Sequence, residues 1–168
     1  MSNQVIDNRQ NPAVKCVSSS KLPLCDESEA SVTVTRVASQ VIPTGAATDV
    51  SFDTVSRNDG FAIGTLPVSS VSIPFRGLYL LVGNAHLQNS STFDIFFQNQ
   101  ISVNGTGIAV QREFNGSNTS DDFRNNATAV AQLNQGDVIT MSVTQTDAGD
   151  RNLLVDISDL SITRLRAS

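Results

Sequence analysis

Apolar and polar positions alternate with a period of two over most of this chain. The alternation gives way to a doubly apolar run at Ile73-Pro74-Phe75-Arg76-Gly77-Leu78-Tyr79-Leu80-Leu81-Val82-Gly83. As a strand, that run puts Leu78, Leu80 and Val82 on one face and Tyr79 and Leu81 on the other. An antiparallel strand with one wet face carries polar residues at alternate positions, so a strand apolar on both sides is covered twice. One cover is the chain's own core, and the other is expected to be a neighbouring copy of the same chain. Tyr79 and Leu81, together with Phe96 further on, are the residues expected to face that neighbour. A helix is the weaker reading, because the stretch between Pro74 and Gly83 is too short for a stable one.

The flanking segments repeat the strand pattern. Val32 and Val34, then Val37 and Val41 after a parity break, predict a first strand ended by Pro43-Thr44-Gly45, and Val50 to Val55 predict a second closed by Asn58-Asp59-Gly60. Phe93, Ile95, Phe97, Ile101 and Val103 share one parity and run into Asn104-Gly105, the strongest two-residue hairpin signal. A two-residue turn pairs Val103 with Thr106 and Ile101 with Ile108, which places Ile108 and Val110 on the apolar face. On the opposite face Asp94, Gln98, Gln100 and Ser102 are polar and Phe96 is not. A polar loop follows from Phe114 to Asn126, then a turn at Asn134-Gln135-Gly136-Asp137 and a strand with Ile139, Met141 and Val143 inward. The last strand carries Leu153, Val155 and Ile157, then shifts parity to Leu160 and Ile162, which predicts a bulge at Ser158-Asp159. With no helical period and no long internal repeat, the fold class is all-β: a sandwich or jelly roll of about ten antiparallel strands.

Residues 1–30 differ from the rest. They hold Pro12, Pro23, Cys16, Cys25, Lys15, Lys21 and the acidic run Asp26-Glu27-Ser28-Glu29, with no sustained period. Two readings stay open, an extended N-terminal anchoring arm ahead of a domain at 31–168, or a disordered tail.

Composition narrows the function. An apolar content of 39% in 168 residues suits a globular domain with a substantial core. A formal charge of −5 with no Lys/Arg cluster argues against nucleic acid as a partner. Neither a signal-peptide pattern nor an apolar stretch of membrane-spanning length is present, so synthesis in a cytosol is expected and Cys16 and Cys25 are expected to stay reduced there. Outside a cell the same pair could close a small disulfide loop. His86 is the single histidine, and any Ser-His-Asp or Cys-His device would have to use it; at the end of a strand it reads as structural or solvated. Loop carboxylates at Asp121-Asp122, Asp147 and Asp150 match no calcium-loop spacing. No catalytic, cofactor-binding or metal-binding residue is expected.

Two motifs carry a family resemblance. Pro74-x-x-Gly77-x-Tyr79 resembles the central strand of the C1q/TNF-like jelly rolls, and Leu133-x-x-Gly136-Asp137-x-Ile139 resembles that family's late turn and strand, in the family's order and over roughly residues 31–166. The resemblance implies a ten-stranded jelly roll that trimerises about the strand bundle, which agrees with a central strand apolar on both faces. Without a collagen stalk, and with a short arm ahead of a domain rich in Asn, Ser and Thr, the chain looks like virion proteins of tailed phages. The implied function is a non-enzymatic, homotrimeric capsid decoration (cement) or head-fibre protein, made in host cytoplasm and carried on the virion. Residues 1–30 would anchor it to the major capsid protein or another virion protein, so that a threefold knob bridges several subunits. The alternative is the receptor- or glycan-binding tip of a tail fibre, with the loops around Phe114 to Arg124 as its contact surface.

Overall fold

The computed structural model describes residues 16–17, 24–25, 30–88, 95–115, 122–155 and 158–167, and among them every regular element is a strand. In chain order these are β1 (Cys16–Val17), β2 (Leu24–Cys25), β3 (Ser31–Thr35), β4 (Gln40–Ile42), β5 (Thr48–Asp49), β6 (Thr54–Asp59) and β7 (Ser70–Ser72). The long strands follow: β8 (Gly77–Leu87), β9 (Ile95–Val103), β10 (Thr106–Asn115), β11 (Phe123–Leu133) and β12 (Val138–Gln145), then β13 (Arg151–Leu153) and β14 (Asp159–Ala167).

They form two facing antiparallel sheets. In the larger one β8 lies between β11 and β14, β14 continues to β3 and β6, and β13 takes over beside Leu87 and carries β4. In the smaller sheet β9 lies between β10 and β12, and β5 and β7 share the far edge of β12. Period-two alternation sends one set of side chains from each sheet into the space between them. Val32, Val34, Tyr79, Leu81, Leu87, Leu160 and Ile162 come from the larger sheet, and Phe97, Ile101, Ile139, Met141 and Val143 from the smaller; all are buried. Gly83 lets the facing sheet come close, since a Cβ there would lie 3.0 Å from Met141 Sδ and 3.3 Å from Ile101 Cγ1. Buried amides stitch the sheets across the core: Asn99 Nδ2 donates to the Gly83 carbonyl at 2.7 Å, and Asn125 Nδ2 donates to the Phe97 carbonyl at 3.1 Å. Buried amides of this kind are tolerated where they meet partners, and they fix the register of the facing sheets.

Several sequence expectations change in detail: the strand expected from Val50 to Val55 runs instead over β6, which takes in Asn58 and Asp59, and Phe123 to Asn126, expected in a loop, open β11. Val37 and Val41 are exposed and Ile42 is buried, because the chain leaves β3 at Thr35 and joins β13 as the separate strand β4. The Asn104-Gly105 turn pairs Val103 with Thr106 as expected, but a bulge between Gly107 and Ala109 then sets Ala109 opposite Ile101. Ile108 and Val110 are therefore exposed. The parity shift near Ser158 is no bulge: β13 and β14 are distinct strands that both run beside β8, with β4 on the other side of β13 and β3 on the other side of β14, and the bulge in β14 lies at Arg164–Arg166. Val155 is exposed, while Ile157 and Phe93 lie outside the described residues.

In the N-terminal segment, β1 pairs with β2, with Cys16 opposite Cys25, and this small ladder is separate from the two larger sheets. The rest of residues 1–29 lies outside the described residues.

Candidate functional site

The central strand is apolar on both faces, but the face expected to meet a neighbouring copy is the one turned into the chain's own core. Tyr79 and Leu81 are fully buried in the chain's own core, and the Tyr79 hydroxyl is satisfied by donating to the Phe75 carbonyl at 2.7 Å. They are not available to a neighbour. Phe96 sits on the solvent side of the smaller sheet, across the sandwich, so the three residues form no common surface. The reason is parity: in a two-layer sandwich one face of β8 must meet β9 and β12, and the alternation alone does not say which.

The uncovered face of β8 carries Leu78, Leu80 and Val82, each half-buried by its neighbours within the sheet. Antiparallel partners point to the same side, so Val130 stands beside Leu80, Thr128 beside Val82, and Ser161 and Thr163 of β14 complete the row. Val130 is 59% exposed. The centre of this sheet thus offers an apolar stripe in a frame of threonine and serine.

Beyond Val82 the same face turns polar. Thr128 Oγ1 donates to Asn126 Oδ1 at 2.6 Å, Asn126 Nδ2 to Asn84 Oδ1 at 2.6 Å, and Asn84 Nδ2 to Asp159 at 3.2 Å. This chain of bonds ties β11, β8 and β14 together. Burial pushes the Asp159 carboxyl above its ordinary range against the opposing effect of that amide.

His86 lies one step further on, at a cavity of about 250 Å³ lined by Asn84, Ala85, His86, Arg124, Asn125 and Asn126. Its ring is almost wholly buried, with Nε2 3.2 Å from Asp122 Oδ2. Burial holds the imidazole below its ordinary value of 6.5; Asp122 pulls it back up and Arg124 pushes it further down. Ser158 is close by, so the residue types of a hydrolytic triad meet here, but the wiring differs. Ser158 Oγ accepts from the backbone N–H of His86 at 3.1 Å and donates to the Leu154 carbonyl at 3.1 Å. A nucleophile must be bonded to the ring of its base, and this serine is not.

The loop carboxylates are brought to different places. Asp122 meets His86, whereas Asp147 is buried and paired with Arg151, with the Ala148 amide donating to its Oδ1. That pair closes the turn after β12, where the buried Gln145 amide also donates to the carbonyls of Ile42 and Gly149. Asp121 lies outside the described residues. Among the described residues no three His, Cys, Asp or Glu side chains come together as a metal would need.

No known family model matches the chain, and no curated protein sequence does. Solved structures do. The globular domain of zebrafish complement 1qA protein superposes with a TM-score of 0.61 at 12% identity, over 83% of this chain and 99% of that one. Murine APRIL gives 0.54 at 17% identity, over 82% and 100%, and the Eiger TNF from S. frugiperda gives 0.54 at 15%, over 83% and 94%. The chain has the C1q/TNF-like jelly-roll fold.

Proposed function

We propose that this chain is a non-enzymatic structural protein acting as a homotrimer, with the open face of its larger sheet packed around a threefold axis. The observation that supports it is the stripe of Leu78, Leu80, Val82 and Val130 at the centre of a sheet whose other face is already filled. An apolar stripe framed by small polar residues is the composition of a subunit contact rather than of a solvated sheet face. The jelly-roll fold and the trimeric arrangement implied by the sequence motifs agree with this use of β8. The setting we propose is a phage virion, with the knob as a capsid decoration or head-fibre protein held through residues 1–30 to the major capsid protein or another virion protein. Its support is the likeness in sequence organisation, a short arm ahead of a jelly roll rich in Asn, Ser and Thr.

Native mass measurement tests the assembly. The unmodified protein is expected as a trimer at micromolar concentration. Leu80→Asp is expected as a folded monomer, because an unpaired carboxylate cannot be buried in an apolar contact without a cost of several kcal/mol. A monomeric unmodified protein would overturn the proposal. Antibody-labelled electron microscopy tests the setting: label spread over the heads of particles is expected, and label confined to a distal tail site would favour the fibre-tip alternative.

A further inference from the structure

The outer face of the smaller sheet, on the opposite side of the sandwich, is built in rungs that follow from its register. Phe114 stands beside Phe96, and the next rung holds Arg112, Gln98 and Thr144. Val110, Gln100, Ser142 and Asp49 follow, then Gly107, Ser102, Thr140 and Ser70. Successive rungs are about 6.7 Å apart along the strands and neighbouring strands about 4.8 Å apart.

Three features separate this face from an ordinary solvated sheet. First, its long side chains are bonded to one another along β9. Arg112 Nε donates to Gln98 Oε1 at 2.9 Å, Gln98 Nε2 to Gln100 Oε1 at 3.2 Å, and Gln100 Nε2 to Ser102 Oγ at 3.1 Å. Glutamine and arginine lose much rotamer freedom when ordered, and here the ordering already exists in the folded chain. Second, the ladder lies flat. A Cβ at position 107 would come within 2.9 Å of Gln100 Nε2, so the missing side chain at Gly107 is what lets that amide rest against the sheet. Third, the ladder ends on an aromatic step. The Phe96 and Phe114 rings are 5.3 Å apart at 47°, Arg112 lies 5.6 Å from the Phe96 centroid, and Phe114 is 72% exposed.

Charge selects the occupant. Arg112 and Asp49 are the two charged residues on these rungs; they are opposite in sign and stand on different strands, so the face is close to neutral on a chain of net charge −5. A nucleic acid or another polyanion needs several converging cations, and a membrane or a protein core patch needs a broader apolar area than two rings. A flat ladder of paired donors and acceptors beside the exposed Phe114 ring matches a polymer with hydroxyls along its edges and C–H groups on its faces. We propose that this face is a docking platform for a neutral polysaccharide chain. A sugar ring stacks on the exposed ring of Phe114, which Phe96 backs, and the following residues bond through their hydroxyls to Gln98 and Gln100. The site stands apart from the proposed trimer contact, so either can fail without the other.

Nuclear magnetic resonance of the full-length ¹⁵N-labelled protein, titrated with malto-, cello-, chito- and manno-hexaose and with heparin, tests this. At least one neutral hexaose is expected to shift the side-chain amide signals of Gln98 and Gln100. Its affinity should fall by about tenfold or more in Phe114→Ala and in Gln100→Ala while the native mass stays unchanged. Phe114 is exposed, so its removal leaves the fold intact. The proposal is overturned if none of the four neutral sugars shifts those signals at millimolar concentration. Binding of heparin alone overturns it in favour of an anion contact at Arg112, and binding that survives both substitutions places the sugar elsewhere.

Discussion

Asn104 and Gly105 occupy the left-handed region, with φ of 50° and 79°, the conformation a two-residue hairpin turn requires. Asn104 is held there from outside, since its Nδ2 donates to Asp137 Oδ1 at 2.8 Å and its Oδ1 accepts from the Val138 amide at 2.9 Å. A Cβ at Gly105 would meet no other atom within 4 Å, so backbone strain alone decides a substitution there. Gly105→Val is expected to destabilise by about 1–3 kcal/mol in urea denaturation, and a change near zero would show that the turn relaxes without cost. His86 supplies a second prediction. Its folded pKa lies below 6.5, so between the two values the unfolded chain binds more protons than the folded one and stability rises with pH. This contribution is complete above about pH 6.5 and is lost as the pH falls from there through the folded value. Melting curves from about pH 8 to pH 5 should show it, and His86→Gln should lack that part of the slope. An imidazole titrating above 6.5 would mean that the Asp122 contact outweighs burial. Asp159 has the opposite sign, because its raised folded pKa makes stability fall as pH rises through its own acid window.

At the scale of the element, β8 separates two kinds of failure at adjacent positions. Leu81 is fully enclosed by the chain's own sheets, and Leu80 is half-buried on the open face. Leu81→Asp should abolish folding of the single chain, as judged by loss of the cooperative melt, whereas Leu80→Asp should keep the melt and lose the trimer. Equal unfolding by both would mean that the open face is needed for the monomer itself. The β9–β10 hairpin shows why such positions are hard to assign from alternation alone. Its turn was legible in Asn104-Gly105, yet the bulge at Ile108 reverses every later side chain of β10. That reversal moves Val110 out to the solvent face, in line with Arg112 and Phe114. The aromatic platform exists because of it.

For the whole molecule, the division between residues 1–30 and the rest carries the remaining prediction. Among the described residues the core reaches back to Ala30, just ahead of β3, and β1 and β2 pair with each other. Removing residues 1–29 should therefore leave a folded domain with a nearly unchanged Tm, and under the proposed virion setting it should abolish attachment to capsids. Full occupancy of particles by the truncated protein would place the attachment surface on the jelly roll instead.

What the sequence by itself determined was local. Period-two alternation identified the long strands β8, β9 and β12, Asn-Gly and Asn-Gln-Gly-Asp the turns beside them, and the run at 78–82 a strand apolar on both faces. These follow from backbone geometry and short-range sterics, which a few adjacent residues contain. What only the tertiary structure decided was which side of each strand is inside. That choice depends on partners far along the chain: β8 meets β11 and β14, and Ile42 is drawn in by β13 more than a hundred residues later. Tyr79 and Leu81 went to the core because the facing sheet lies on their side, which leaves Leu78, Leu80 and Val82 half-buried on the outer face. The Gln98–Gln100–Ser102 ladder was visible only as polar positions; its flatness, and the rings at its end, come from the bulge and from the space above Gly107. Alternation fixes that two faces differ, and the packing of distant strands assigns each face its role.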